Sequence, residues 1–360
     1  MQNVLPKYDL AEVNAAGKAL VTSDPQDGLI TFEKLESQLH TYDVVNNWRA
    51  CHSRPLNTFA MTLRNRALHI HKGAVIAQRI KRLDSISKKL TLQSSMKLSQ
   101  MQDIAGCRAI LPSIQHVREL EDRYRTATDF SHDLKSGKDY IAQPKASGYR
   151  SVHLIYRFKL REQSPYENQQ VEIQMRSQLQ HTWATAVEAA GTFTNQALKS
   201  SQGSLEWQRF FSLMGSYIAH MEGCPLVPGT PTDVVRLRHD IRVLVSSLHV
   251  IGILKAYSAT LNQVGKMAKM KYYLMDLDPD QLSVRLTAYM AGQTKTANDA
   301  YIETEKSIPA NSNRQVVLVS VDSVQALRQA YPNYFLDTTK FASLVQDVIS
   351  QDSDSSYFSK

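Results

Sequence analysis

The stretch "VEIQMRSQLQHTWATAVEAAG", residues 171–191, changes period halfway along. In its first seven residues Val171, Ile173 and Met175 alternate with Glu172, Gln174 and Arg176, the pattern of a strand with one apolar and one polar face. From Gln178 the apolar positions Leu179, Trp183 and Val187 recur every four residues, which predicts a helix packed on one side and stopping near Gly191. Twenty residues upstream, "SVHLIYRF" (151–158) repeats the strand pattern. Val152, Leu154, Tyr156 and Phe158 share one face, and Ser151, His153, Ile155 and Arg157 share the other. Short strands alternating with helices from Asp103 to about Gly191 predict a compact α/β unit.

Outward from that block, Leu35, Leu39, Tyr42, Val45 and Trp48 recur at helical spacing, "CHSRPLN" breaks the run at Pro55, and a second helical run is expected from Leu56 to Ile80. "GCPLVPGTPTD" (223–233) reads as a linker. Thr230, Pro231 and Asp233 then open a long helix marked by Val234, Leu237, Ile241, Leu244, Leu248 and Ile251. "YYLMDLD", "LSVRLTAYM", a polar helix over about 297–306, "QVVLVSV" and two last helical stretches predict a small second α/β domain. The expected division is 1–75 as a helical region, 76–222 as the central unit, 223–265 as linker and long helix, and 266–360 as the C-terminal domain.

A chain of 360 residues with a formal charge of +8 favours phosphate-bearing partners, nucleotide or nucleic acid. Its three cysteines, Cys51, Cys107 and Cys224, are spaced too widely for a zinc knuckle or redox pair and read as small buried hydrophobes. The first thirty residues lack a leader pattern and no later stretch offers eighteen uninterrupted apolar residues, so a cytoplasmic location without membrane contact is expected.

Three clusters carry chemistry. "RIKRLDSISKKL" (79–90) crowds Arg79, Lys81, Arg82, Lys88 and Lys89 around a helix start that Ser85 is expected to cap, a cradle suited to polyphosphate. "QDIAGCRAILP" (102–112) sets Asp103 before a short apolar strand with Arg108 five residues on, and Glu172 lies on the polar row of its own strand. Two such carboxylates brought together would suit Mg²⁺, which takes one or two protein oxygens and completes its octahedron with phosphate and water. "PKASGYRSVH" (144–153) joins them: Gly148 permits a sharp turn, Lys145 adds charge, and Tyr149 is presented where a ring can stack on a base.

Taken together, "RIKRLDSISKK", "QDIAGCRAI", "DYIAQPKASGYRSVH" and "VEIQMRSQLQHTWA" stand in the order and spacing of the RelA/SpoT-type synthetase domain, which residues 40–200 resemble. The resemblance implies a nucleotidyltransferase-like mixed sheet flanked by helices, and transfer of the β,γ-pyrophosphate of ATP to a ribose 3′-hydroxyl. On it, Arg79 and Arg108 would sandwich adenine, and Lys81, Ser85 and Lys88 would hold phosphates. Asp103 and Glu172 would bind Mg²⁺, with Asp103 also placed to help deprotonate the hydroxyl. Tyr149 would stack on the acceptor base, while Lys145, His153, Gln174 and Arg176 would line the acceptor side. The sequence departs from small family members in carrying Glu188 one place late and no histidine after "WATAVEAA". It also lacks the His-Asp-x-x-Glu-Asp of the hydrolase half, "RHDIRVL" being an unrelated helical stretch.

The family divides between GDP or GTP and the 3′ end of tRNA as acceptor. The wording of "NNWRACHSRPLNTF", "MKLSQMQDIAGCRA" and "LQHTWATAVE" resembles the toxic branch, in particular fused toxin and antitoxin proteins of phage-defence type. That resemblance implies a C-terminal domain that inhibits in cis until a phage protein relieves it. Within that domain "AYPNYF" (330–335) offers Tyr331, Tyr334 and Phe335 either as core packing or as a candidate docking patch. The alternative is an alarmone synthetase whose tail serves oligomerisation.

Overall fold

The structure is a computed structural model that describes residues 4–22, 32–128, 130–160, 164–193, 205–251, 254, 270–278, 283–309, 314–320 and 338–350. Helices α1 (Leu10–Thr22), α2 (Phe32–Cys51) and α3 (Ser53–Ile70) lead into strand β1 (Val75–Ile80) and helix α4 (Leu83–Leu92). Next come β2 (Ala105–Leu111), α5 (Ile114–Arg125), β3 (Asp133–Asp139), β4 (Val152–Arg157), β5 (Gln170–Ser177) and α6 (Gln178–Phe193). The remainder runs α7 (Leu205–Met221), α8 (Val234–Ser247), β6 (Tyr272–Asp278), β7 (Ser283–Tyr289), α9 (Thr294–Lys306), β8 (Gln315–Ser320) and α10 (Thr339–Ser350).

All eight strands join one mixed sheet in the order β3-β4-β5-β2-β1-β8-β6-β7. Among the described residues only β2 and β5 pair in parallel, with Ala105 opposite Val171 and Gly106 opposite Glu172. The faces read from the sequence hold: Val152, Leu154, Tyr156 and Phe158 are buried with Val171, Ile173 and Met175 in a core that α1–α5 cover. A second core gathers Trp183 and Val187 of α6, most of α7, Leu237 and Ile241 of α8, and Phe341 and Val345 of α10.

Three local expectations are corrected. The helical run from Leu56 ends at Ile70, and Val75–Ile80 is strand. The turn at His71–Gly73, closed by the Gly73 N–H donating to His71 Nδ1, breaks the helix before the β-branched residues Val75 and Ile76 pair with β2. The long helix after the linker is capped by the Asp233 carboxylate, which accepts from the Arg236 N–H, but it stops at Ser247. Two residues on, His249 has φ 49°, a left-handed conformation that cannot continue a helix. Ser85 does not cap α4, which begins at Leu83 with Arg82 at the cap position.

The C-terminal strands extend the sheet of the central unit: β8 pairs with β1 through Gln78 opposite Ser320 and Arg79 opposite Val319. The patch at 330–335 lies outside the described residues. Cys51 and Cys107 are buried and Cys224 is half-buried, all three free, and burial pushes the Cys51 thiol up to about 12. Among the described residues, no helix is long and apolar enough to cross a membrane.

Candidate active site

Pairing across the sheet aligns side chains that the sequence scatters. One rung reads Arg79, Gly106, Glu172, Ile155, and the next reads Ala77, Arg108, Gln174, His153, Lys138. Directly opposed residues share a face, so Arg79, Arg108, Glu172, Gln174 and His153 all project from the side away from the α1–α5 core. Gly106 puts no side chain between Arg79 and Glu172. A Cβ there would meet nothing nearer than the Glu172 carbonyl oxygen, at 4.0 Å.

Asp103 sits in the turn leading into β2, at the same end of the β2/β5 pair as Glu172. The Lys81 N–H donates to the Ile104 carbonyl at 2.8 Å, tying this turn to the end of β1. Lys81 Nζ and Lys89 Nζ each donate to one oxygen of Asp103, both at 2.8 Å. Burial opposes the Asp103 charge, but the two ammonium groups outweigh it and hold the carboxyl well below the usual range. Lys81 is itself driven down to about 8 by burial, against the pull of Asp103.

The structure gives the second lysine at Asp103 to Lys89. Lys88 points to solvent and pairs with Asp84 at 3.0 Å, one turn back on the same helix face. On the helix α4, Lys88 shares its stripe with Asp84, while Lys89, one position on, is turned toward Asp103.

Glu172 is the terminus of two hydrogen-bonded arms that start at Arg176, a side chain only 3% exposed. In one, the Arg176 guanidinium donates to the Tyr149 hydroxyl at 2.6 Å, that hydroxyl meets His153 Nε2 at 2.8 Å, and His153 Nδ1 meets Glu172 Oε1 at 2.8 Å. In the other, Arg176 donates to Gln174 Oε1 at 2.9 Å and Gln174 Nε2 donates to Glu172 Oε2 at 2.6 Å. A carboxylate only accepts, so a hydrogen on His153 is assigned to Nδ1, facing Glu172. Burial raises the cost of charging Glu172, yet the His153 hydrogen bond prevails and its carboxyl stays below the usual range. The Asp103 charge is felt at Glu172, so the two carboxylates belong to one electrostatic site.

Tyr149 is half-buried, its ring centre 6.4 Å from that of Trp183. Burial raises its hydroxyl pKa, and Arg176 opposes this. Lys145 Nζ lies 5.3 Å from the Tyr149 ring centre and 4.5 Å from that of Tyr140, a residue that the sequence reading passed over. Tyr140 also packs edge-on against His153 at 5.2 Å, making a second aromatic wall. The loop is seated by two glycines. Gly148 has φ 92°, and a Cβ on Gly215 of α7 would come within 2.8 Å of Gly148 Cα.

A further anionic group reaches the site from far along the chain. Glu305 of α9 accepts from the Leu83 N–H at the start of α4 at 2.8 Å, from Tyr301 at 2.8 Å, and from the buried Arg49 at 3.0 Å. Arg49 also donates to the Lys81 carbonyl at 3.0 Å. Sequence patterns carry no signal for a contact between residues more than two hundred positions apart.

Asp103 and Glu172 are ionised oxygen donors at one strand mouth, and among the described residues no group of three or more His, Cys, Asp or Glu stands as a metal cage. That donor set fits Mg²⁺, which retains water and phosphate, and not a zinc site.

Residues 78–197 match the family model described as "Region found in RelA / SpoT proteins", a span that contains every candidate site residue named from the sequence. Among curated proteins, GTP pyrophosphokinase YjbM of Bacillus subtilis is 33% identical over 112 residues, 31% of this chain and 52% of the relative. GTP pyrophosphokinase YwaC of the same organism is 30% identical over 112 residues, 30% of this chain and 52% of the relative. The chain thus spans about half the length of the curated relatives it matches. Among solved structures, small alarmone synthetase 1 from Bacillus subtilis, bound to its product pppGpp, aligns with TM-score 0.41 at 23% identity, covering 48% of this chain and 89% of that one. Small alarmone synthetase 2 from the same organism aligns with TM-score 0.42 at 21% identity, over 49% and 93%.

Proposed function

We propose that the protein is an ATP-dependent pyrophosphotransferase of RelA/SpoT type and that its acceptor is the 3′-hydroxyl of a guanosine nucleotide, GDP or GTP. The observation that carries the reading is the ionised pair Asp103 and Glu172 at one strand mouth, ringed by Lys81, Lys89, Arg79 and Arg108. Transfer of a charged phosphoryl group asks little covalent chemistry of a protein and much charge neutralisation and alignment, which is what these residues offer.

In this reading the acceptor oxygen attacks the β-phosphorus of ATP, the bond from that phosphorus to the bridging α,β-oxygen breaks, and AMP leaves. Arg79 and Arg108 hold the adenine, and Lys81, Ser85 and Lys89 take the phosphates, with Lys88 at the solvent edge. Drawing Lys81 and Lys89 onto phosphate releases both oxygens of Asp103. They then become available to a cation and to the proton of the attacking hydroxyl, which a carboxylate clasped by two ammonium groups accepts poorly. Mg²⁺ bound by Asp103 and Glu172 would offset the charge that develops on the transferred group. Tyr149, Tyr140 and Lys145 form the acceptor wall, with His153, Gln174 and Arg176 behind them.

Incubating the full chain with γ-labelled ATP and GDP, GTP or tRNA tests this. Label is expected in the guanosine nucleotide with release of AMP, and Asp103→Asn should lower the rate by at least about 10²-fold. Label in the tRNA 3′ end alone would move the acceptor to the toxic-branch reading, and no transfer to any acceptor by either the wild-type chain or its Glu305→Ala variant would sink the activity itself.

A second reading concerns restraint by the C-terminal block and rests on Glu305, which occupies the N-terminus of α4 where a phosphate oxygen would otherwise be favoured. Such a contact lets the block hold back ATP binding until a partner, a phage protein in the toxic branch, displaces it. In the full chain, Glu305→Ala should lower the KM for ATP, and an unchanged or raised KM would refute the restraint.

A further inference from the structure

The two arms from Arg176 to Glu172 are unequal in what they touch. The Gln174 arm lies within β5, whereas the other runs through Tyr149 and His153, both of which border the acceptor wall. Every polar atom along the latter is engaged at both ends: the Tyr149 hydroxyl between Arg176 and His153, and the His153 ring between Tyr149 and Glu172. Tyr140 closes over the Tyr149 and His153 rings edge-on, at 5.8 and 5.2 Å, so neither rotates without disturbing the other.

We infer that His153 and the Tyr149 hydroxyl are positioning groups for Glu172, so that the acceptor wall sets the orientation of a carboxylate on the cation side. Resting on the reading of Asp103 and Glu172 as a cation pair, this goes beyond a stacking role for Tyr149, since stacking requires only the ring. An outer partner that orients a ligating carboxylate acts on cation affinity without touching the cation.

Mn²⁺, whose binding electron paramagnetic resonance reports directly, is the probe, added with a non-hydrolysable ATP analogue whose phosphates draw Lys81 and Lys89 off Asp103. Tyr149→Phe keeps the ring and its packing on Trp183 and cuts the arm at one link; His153→Ala removes the next. Each is expected to weaken Mn²⁺ binding about 10-fold, and the double variant no more than either single one, because both interrupt the same arm. In transfer assays Tyr149→Phe should lower kcat about 10-fold with the KM for GDP changed by less than about 2-fold. Unchanged Mn²⁺ affinity in Tyr149→Phe, or losses that multiply in the double variant, would overturn the inference. So would the opposite split, a raised KM at constant kcat. A wild-type protein that ignores GDP would fail the proposed acceptor, while the Mn²⁺ comparison would still decide the arm.

Discussion

Removing the Glu305 carboxylate should cost the fold several times what an ordinary ion pair is worth, because of the partner it leaves behind. The Arg49 side chain is 3% exposed and that of Glu305 12%, so the pair is shielded from water and from salt. Its burial and surroundings keep Arg49 charged: desolvation opposes the charge, and Tyr301 and Glu305 more than restore it. Glu305→Ala therefore strands a guanidinium in the seam between α2, α9 and the β1–α4 junction. A broken buried pair costs about 3 to 5 kcal/mol, and the lost acceptor at the α4 N-terminus adds about 1 kcal/mol. Arg49 retains Asn46, the Lys81 carbonyl and the Tyr301 ring, which places the expected total near the lower end, at about 4 kcal/mol.

Urea denaturation of the full chain reads this as a lower midpoint, by about 1 M for a slope of about 3 kcal/mol/M. Raising sodium chloride to about 0.5 M should leave the loss in place, unlike that of an exposed pair such as Lys88 with Asp84. Replacing both partners, as Arg49→Met with Glu305→Leu, should recover most of the loss, since apolar residues of similar volume leave no charge unpaired. A single variant within about 0.5 kcal/mol of wild type, or a double variant worse than the single, would refute the buried-pair argument.

Two other outcomes follow from the same geometry. Gly215→Ala drives a methyl group to within 2.8 Å of the Gly148 backbone, so the Tyr149 loop must move; the KM for the acceptor should rise at least about 5-fold with that for ATP unchanged, and equal effects on both substrates would count against the loop seat. His52 is buried against the Trp48 carbonyl, beside Cys51 and the Trp48 ring, and desolvation lowers it to about 4. The unfolded chain therefore binds this proton first: stability is full above about pH 6.5 and about 3 kcal/mol is lost as pH falls toward 4. His52→Gln should flatten that part of a pH series of denaturation midpoints, and an unaltered slope would refute it.

Legibility in the sequence tracked the range of the contact. Strands β4 and β5 could be read because each is solvated differently on its two faces, which writes a period of two into Val152–Phe158 and Val171–Arg176. β1 was concealed: Val75, Ile76 and Ile80 continue the apolar spacing of α3, and a short strand at mid-sheet carries no alternation of its own. At the site, Arg79, Arg108, Glu172, Gln174 and His153 share one face of the sheet, but motif order could not say which lysine meets Asp103. That depends on the phase of α4, and the expected start at Ser85 was displaced from the observed start at Leu83. Tyr140 was missed because its role comes from the fold of the 144–150 loop onto α7, and Glu305 because its contact is purely tertiary.

The C-terminal block meets the site at two separate levers. At one, β8 lies against Gln78 and Arg79 while Glu305 grips the start of α4, so Lys81 is bracketed on both sides by contacts from beyond residue 300. At the other, Phe341 of α10 stacks on Phe211 at 5.8 Å, and Phe211 accepts from the Trp183 indole N–H at 2.8 Å and underlies Gly148. The first lever bears on the phosphate side and the second on the Tyr149 loop. The arm through His153 joins the Tyr149 loop to Glu172, and the Asp103 charge reaches Glu172 in turn. A displacement of the block would therefore arrive at the same carboxylate pair by two routes. Perturbing one lever should alter the KM for ATP and perturbing the other the KM for the acceptor, while a perturbation of the carboxylate pair or of the arm that positions it should lower kcat with both KM values held.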